Sequence, residues 1–176
     1  AGAFVFGSGL AIVPFLHGGV VTEFQWLTEK QFLDMFHEDV AVPGTIFLGF
    51  NSIRFDDEFM RSIHYRNLFD PYEWQWKDGR GKWDLLDVVR MTRALRPDGI
   101  KWPFSKDGRP ANRLELIASI NGLEHTHAHN ALSDVRASIE VARLIYEKQP
   151  KLFKYLEEMR DKQKIKEFVA TNSMFV

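Results

Sequence analysis

A short apolar run between two turn signals limits the folds that this chain can adopt. Residues 45–50 read TIFLGF, after Pro43-Gly44, and we predict a buried strand there. The next segment has apolar residues at helical spacing, which predicts a helix over about residues 55–67. Upstream, Thr28 and Gln31 form a capping-box pattern for a helix over residues 28–39. Asp56 would then lie where a strand gives way to a helix, and strand ends are where α/β proteins place ligands.

The rest of the chain is predicted to be mostly helical. Asp84 suits the cap of a helix that ends near Leu95, before Pro97-Asp98-Gly99. The segment 97–112 then holds three prolines, two glycines and two aromatic residues, which predicts a loop. Three more helices are predicted: Leu114 to Ile120 with Asn112 as its cap and Gly122 as its stop, Ala131 to Lys148, and one that begins at Pro150.

Composition narrows the class of protein further. The chain has 176 residues, 45% apolar and 27% charged, which is typical of a globular protein with one main core. It contains no cysteine, so disulfide scaffolds, thiolate zinc sites and cysteine nucleophiles are excluded. A reducing compartment such as the cytoplasm is therefore permitted.

The first 22 residues carry no charged side chain and have two possible interpretations. Their length suits a membrane span, although five glycines, Pro14 and His17 make the segment weakly apolar. The alternative is two strands, Phe4 to Phe6 and Leu10 to Phe15, joined by a Gly7-Ser8-Gly9 turn. A signal peptide is not expected, because the first basic residue is Lys30.

Charge is distributed unevenly along the chain. Residues 1–76 have 4 basic and 10 acidic side chains, whereas residues 77–113 have 10 and 5. The basic band is compatible with a phosphate-bearing ligand that passes near a carboxylate site. The alternative is an ordinary solvated surface.

Asp56, Asp134 and His129 are the main candidates for chemistry. Two aspartates from separate helices can hold a hard divalent cation together with substrate phosphates. His129 precedes the helix that carries Asp134, and its imidazole can accept a proton from water near neutral pH. The structural alternative is that both aspartates cap helices and that His129 is a polar loop residue.

Two other groupings are weaker candidates. His125, His127 and His129 alternate, so on an extended segment they could bind zinc through their imidazoles. Asp56, Asp57 and Glu58 contain the only Asp-x-Glu of the chain, but on a helix Asp56 and Glu58 point in different directions. We therefore do not expect them to form one pair of metal ligands.

Four segments together resemble the bacterial exodeoxyribonuclease I family. They read NSIRFD at 51–56, KWDLLDVVR at 82–90, ALRPDGI at 94–100 and AHNALSD at 128–134, and the resemblance runs from about Thr28 to Lys166. It implies a ribonuclease H-like α/β exonuclease fold and 3′ to 5′ hydrolysis of single-stranded DNA with two divalent cations, Mg²⁺ or Mn²⁺. It also implies a cytoplasmic enzyme that works beside single-strand DNA-binding protein.

The resemblance assigns roles to individual residues. Asp56 resembles the family's second-motif aspartate, and Asp134 and His129 resemble the aspartate and histidine of the third motif. Asp56 and Asp134 would be metal ligands, and His129 would deprotonate the attacking water. Asn51, Arg54 and the basic band would contact the strand. For Trp83, Trp102 and Phe104 we favour packing in the core over stacking on bases.

The N-terminus departs from the family pattern. The family's first motif is an Asp-x-Glu on the first strand, whereas here no aspartate precedes Asp34 and no glutamate precedes Glu23. Residues 4–21 instead resemble part of a chromate-transporter membrane protein. We therefore expect an atypical segment over residues 1–27, an exonuclease-like domain over 28–176, and an altered first part of the sheet. Little hydrolysis is expected, and a catalytically silent nucleic-acid-binding relative or fragment is the alternative.

Overall fold

A computed structural model of the protein describes residues 28–54, 56–123 and 131–170. Short 3₁₀ turns occupy residues 52–54, 73–75 and 77–79. The helices and strands, in chain order, are α1 (Glu29–Met35, followed by a π-helical turn over Phe36–Val40), β1 (Ile46–Gly49), α2 (Asp56–Arg66), β2 (Gly81–Asp84), α3 (Leu85–Leu95), α4 (Leu114–Ile120), α5 (Ala131–Lys148), α6 (Pro150–Glu158) and α7 (Lys162–Ala170).

The two strands form a parallel pair that sets the position of the candidate site. Ile46 lies opposite Gly81, and Gly49 lies opposite Asp84, so both strands end at the same edge of the sheet. The chain leaves β1 into a 3₁₀ turn and α2, and it leaves β2 directly into α3. Ligand sites of α/β proteins lie at such carboxyl edges.

Helices cover both faces of β1. Successive side chains of a strand point to opposite faces, so Phe47 and Leu48 enter different cores. Phe47 packs with buried residues of α1, α2 and the π-helical turn, among them Leu33, Phe36 and Met60. Leu48 packs against the second cluster, which α3, α4 and α5 build with residues such as Val89 and Ile117. The short strand thus joins two apolar cores.

The predicted helices are confirmed. Thr28 caps α1 as expected: its hydroxyl accepts a hydrogen bond from the Gln31 N–H at 3.3 Å, and the Gln31 side chain accepts one from the Thr28 N–H at 3.0 Å. The Asp84 carboxylate caps α3 by accepting from the Leu86 N–H at 3.0 Å. The predicted apolar face of α5 is buried at Val135, Ala142 and Ile145.

Two features differ from the prediction. Asn112 does not cap α4; its side-chain oxygen accepts a hydrogen bond from the Arg93 guanidinium at 3.0 Å, and Arg113 occupies the cap position without a side-chain bond. The strand β2 was not predicted, because GKWD has no apolar run and follows a turn-rich segment.

The predictions for residues 1–27 lie outside the described residues. Of the helices that the structure does describe, none is long and apolar enough to cross a membrane.

Candidate active site

A small pocket, open to solvent, lies at the carboxyl edge of β1. Its apolar wall comes from the core on the α1 and α2 side, and its polar wall comes from the turn after β1, the start of α2 and strand β2. Its lining residues are Phe36, Phe47, Leu48, Gly49, Ser52, Asp56, Asp57, Met60, Trp74 and Lys82.

Asp56 brings a carboxylate to this pocket as the first residue of α2. Its side chain is half-buried, whereas Arg54 is exposed and Asp57 is buried. An acidic group in the first helical turn is favoured by the helix dipole. A carboxylate held there, partly shielded from bulk water, also has the hard oxygen atoms that divalent cations prefer.

The neighbouring Asp57 is neutralised within the pocket wall. It is only 3% exposed, and its carboxylate forms an ion pair with the Lys82 ammonium from β2. The Arg61 guanidinium lies 4.0 Å from the same carboxylate oxygen. A buried carboxylate without such partners would be costly, so this pair ties the first turn of α2 to the sheet. Glu58, in contrast, is exposed and pairs with Arg61, so Asp56 and Glu58 are not one ligand pair.

Asp84 fixes the turn that leads from β1 to the pocket. Its carboxylate accepts hydrogen bonds from the backbone N–H groups of Asn51 at 2.7 Å and Ile53 at 3.4 Å, as well as from Leu86. Asn51 has a positive φ of 60°, a conformation that asparagine tolerates better than most residues. One carboxylate therefore organises the ends of both strands.

Gly49 is required where the turn folds back on the strand. A Cβ atom at this position would lie 2.6 Å from the Cβ atom of Ser52. Such a distance is well inside van der Waals contact, so any side chain at residue 49 would push Ser52 and the pocket rim away.

The predicted site residues are only partly brought together. Asp56 lines the pocket, and Asn51 and Arg54 are exposed on the turn beside it. Asp134 lies in the first turn of α5 and is not among the residues that line the pocket. His129, like His125 and His127 of the zinc alternative, lies outside the described residues. Within the described ranges no three histidine or carboxylate side chains form a metal-binding group, so the complete metal site remains a prediction.

Lys82 lines the pocket and Asp84 fixes the turn that leads to it, and the sequence did not reveal either role. Asp84 was predicted only as a helix cap, and Lys82 only as one charge of the basic band. Both roles depend on β2 lying parallel to β1, which no local pattern indicated.

The aromatic residues divide into two kinds. Trp83 and Trp102 pack against the larger core, as expected. Phe104 does not follow that expectation, because it is 63% exposed. It follows Pro103 on the loop between α3 and α4.

Two histidines lie behind the pocket wall. The His64 ring is fully buried among aromatic rings, and its Nδ1 lies 2.6 Å from the Met60 carbonyl oxygen. Burial lowers the pKa of His64 to about 4. The adjacent His37 ring, 5.1 Å away between centroids, also has a pKa lowered by burial and, secondarily, by the Arg80 charge. Both imidazoles are therefore neutral near pH 7, and they act as core residues.

Known proteins resemble this chain in two parts. The family described as Exonuclease matches residues 28–142, and the family described as Chromate transporter matches residues 1–53. Exodeoxyribonuclease I of Haemophilus influenzae is 47% identical over 148 residues, which are 84% of this chain and 31% of that protein. The chromate transport protein of Cupriavidus metallidurans is 65% identical over 46 residues, 26% of this chain and 12% of that protein.

Solved structures support the same relationship. Exonuclease I from Methylocaldum szegediense superposes with a TM-score of 0.77 at 50% identity, over 84% of this chain and 31% of that one. Escherichia coli Exonuclease I in complex with a dA16 oligonucleotide gives 0.75 at 49% identity, over 78% and 29%. An ExoI/SSB-Ct complex gives 0.74 at 46% identity, over 80% and 30%.

These comparisons confirm the predicted ribonuclease H-like α/β exonuclease fold. The chain spans about a third of the length of the relatives that it matches. Since the Exonuclease match covers most of its residues, the chain belongs to the exonuclease family of nucleases.

Proposed function

We propose that this chain is a 3′ to 5′ exodeoxyribonuclease domain that acts on single-stranded DNA with divalent cations, Mg²⁺ or Mn²⁺. The observation that carries the proposal is the half-buried Asp56 carboxylate in a pocket at the carboxyl edge of the parallel strands. The exonuclease match over residues 28–142 supports the assignment of this pocket to phosphodiester hydrolysis.

The pocket offers oxygen atoms as ligands, which is the type of ligand that hard cations prefer. Asp56 offers carboxylate oxygens and Ser52 a hydroxyl, whereas Asp57 is already neutralised by Lys82. Asp56 and Asp134 would hold the cations, as the family's second- and third-motif aspartates do. Bound divalent cations lower the pKa of water and offset charge on the phosphate.

The remaining steps belong to side chains of this chain. His129 would accept the proton of the attacking water, which its ordinary pKa of roughly 6.5 permits near neutral pH. Asn51 and Arg54, exposed beside the pocket, would contact the strand that enters it. The Asp57–Lys82 pair holds α2 against β2 and so keeps Asp56 at the pocket wall.

A second candidate function is nucleic-acid binding without hydrolysis. It is favoured by the sequence upstream of α1, which has no aspartate and therefore no Asp-x-Glu motif. A site without the two carboxylates of that motif would bind at least one metal ion more weakly, and its turnover would be far below that of a complete site.

Degradation of a 3′-labelled single-stranded oligonucleotide tests the proposal. We expect loss of label with Mg²⁺ or Mn²⁺, none with EDTA, and none in Asp56→Asn or His129→Ala. Asp39→Asn removes one exposed carboxylate from the π-helical turn and serves as the matched control, which should keep wild-type rates. Metal-dependent release that persists in both site variants would contradict the mechanism. Binding without any release would favour the second candidate.

We also propose a cytoplasmic location and an interaction with single-strand DNA-binding protein. The ExoI/SSB-Ct complex of a related enzyme supports this partner. Fluorescence anisotropy of a labelled C-terminal peptide of single-strand DNA-binding protein should rise with this chain and not with a scrambled peptide. Equal signals from the two peptides would contradict the proposal.

A further inference from the structure

The loop between α3 and α4 is an ordered hairpin that exposes an aromatic ring. Phe104 and Pro110 form an antiparallel bridge, and the Ser105 N–H donates to the Arg109 carbonyl at 2.8 Å. Gly108 closes the turn with a φ of 72°, a conformation that favours glycine. The ring of Phe104, 63% exposed, is therefore presented by a defined backbone.

Arg93 of α3 stabilises this hairpin through hydrogen bonds and through contacts with aromatic rings. Its guanidinium donates to the Pro103 carbonyl at 3.0 Å and to the Asn112 side chain at 3.0 Å. Its Cζ atom lies 4.6 Å from the centroid of Phe104 and 5.7 Å from that of Trp102. One face of the Phe104 ring thus rests on a fixed cation, and the exposed part of the ring faces solvent.

Exposed basic residues flank Phe104 along the chain. Lys106 and Arg109 lie in the turn of the hairpin, both exposed, and neither forms an ion pair with a carboxylate of the described residues. Lys101, also exposed, lies before the hairpin. Over residues 97–113 the carboxylates are Asp98 and Asp107, against four basic side chains, of which Arg113 pairs with Glu115, so the segment carries a net positive charge.

We propose that this surface, formed by Phe104, Lys106 and Arg109, binds single-stranded DNA as a second contact outside the pocket. A nucleobase would stack on the exposed Phe104 ring, and the flanking phosphates would contact the two cations. A fixed aromatic ring beside unpaired cations is the arrangement that binds single strands with little sequence preference. The identity of the ligand rests on the proposed function, but binding at this surface requires neither metal nor turnover.

Equilibrium binding of a labelled oligothymidylate in EDTA tests this surface without hydrolysis. Phe104→Ala and Phe104→Leu should each weaken binding about fivefold or more, since stacking on one aromatic contributes on the order of 1 kcal/mol or more per base. Phe104→Tyr should retain wild-type affinity. An oligonucleotide that carries abasic sites should bind wild type and Phe104→Ala with similar affinity.

The cations are tested through salt dependence. In Lys106→Gln/Arg109→Gln the slope of log K against log salt should fall by about 1.4, because each phosphate contact on a single strand contributes roughly 0.7. Lys151→Gln/Lys154→Gln on α6 removes the same charge and should change the slope much less. Similar slopes for both double variants, unchanged affinity in Phe104→Ala, or no binding by the wild type would each overturn the proposal. If the substitutions change binding as expected but no label is released, the result would contradict the proposed hydrolysis and leave the binding surface supported.

Discussion

Acidification should destabilise this protein through one buried imidazole. His64 lies on α2 with its ring enclosed by Phe36, Phe69 and Trp74, and it is 0% exposed. Its Nδ1–H donates to the Met60 carbonyl, whereas its buried Nε2 has no hydrogen-bond partner among the described residues. A proton added at Nε2 would place a charge among aromatic rings.

The pKa difference sets the size and the pH range of the effect. Burial lowers the pKa of His64 to about 4 in the folded protein, against 6.5 for an exposed histidine. Between these two values the unfolded chain binds more protons, so stability is complete above about pH 6.5 and falls as the pH falls toward 4. The full difference corresponds to about 3 kcal/mol, of which about 2.5 kcal/mol is lost by pH 4.5. His37 adds an effect of the same sign, because burial also lowers its pKa.

Urea unfolding at pH 7 and pH 4.5 measures this loss directly. In His64→Leu, which cannot titrate, the decrease in unfolding free energy between the two pH values should be smaller than in wild type by about 2.5 kcal/mol. Phe69→Leu is the matched control, since Phe69 contacts the same ring without titrating, and it should lower stability equally at both pH values. An equal pH dependence in wild type and His64→Leu would refute the reasoning.

Three further substitutions test the pocket. Gly49→Ala places a Cβ atom against Ser52 and should cost about 1–3 kcal/mol, measured by urea unfolding, whereas no loss would contradict the close approach. Lys82→Met leaves the buried Asp57 carboxylate without its lysine partner and should lower the free energy of unfolding by about 3 kcal/mol. Lys82→Arg keeps the charge and should restore stability, so an equal loss in both variants would exclude the charge as the cause. Asp84→Ala removes the acceptor of three backbone N–H groups and should cost about 2 kcal/mol, with faster amide hydrogen exchange at the turn; unchanged exchange would argue against this role.

The elements that the sequence predicts well are those with a local signal. The capping box at Thr28 and Gln31 fixes the start of α1, and the 3.6-residue period fixes α5. The run TIFLGF predicts β1 because both faces of that strand are covered by apolar residues. In each case the pattern lies within about 20 residues, which is the range over which sequence periodicity is informative.

The elements that the sequence does not predict depend on distant partners. GKWD becomes β2 through its pairing with β1, although its own residues resemble a turn. Asn112 has a good capping side chain, but the Arg93 guanidinium from α3 takes its oxygen. Helix capping contributes about 1 kcal/mol, and a hydrogen bond to a charged group about 1.5–3 kcal/mol, so the charged donor prevails.

The candidate site shows the same division. Asp56 became a candidate because it follows a recognisable strand, whereas Asn51 and Arg54 became candidates through the family resemblance. The structure places Asp56 on the pocket wall and the other two on the turn before α2. Lys82 could not be found in this way, since its partner Asp57 is 25 residues away and meets it only through the parallel sheet. The exposure of Phe104 likewise depends on how Arg93 supports the hairpin.

Three aspartates lie at the carboxyl edge, and their carboxylates lie in different surroundings. Asp57 is neutralised by Lys82, and Asp84 accepts from three backbone N–H groups, so each holds the edge together. Asp56 differs because its carboxylate lies half-buried on the pocket wall. Replacing Asp57 or Asp84 should therefore lower stability first, whereas Asp56→Asn should act mainly on cation binding. Comparing the three asparagine variants by melting temperature and by Mn²⁺ titration tests whether Asp56 binds a cation while the other two stabilise the site.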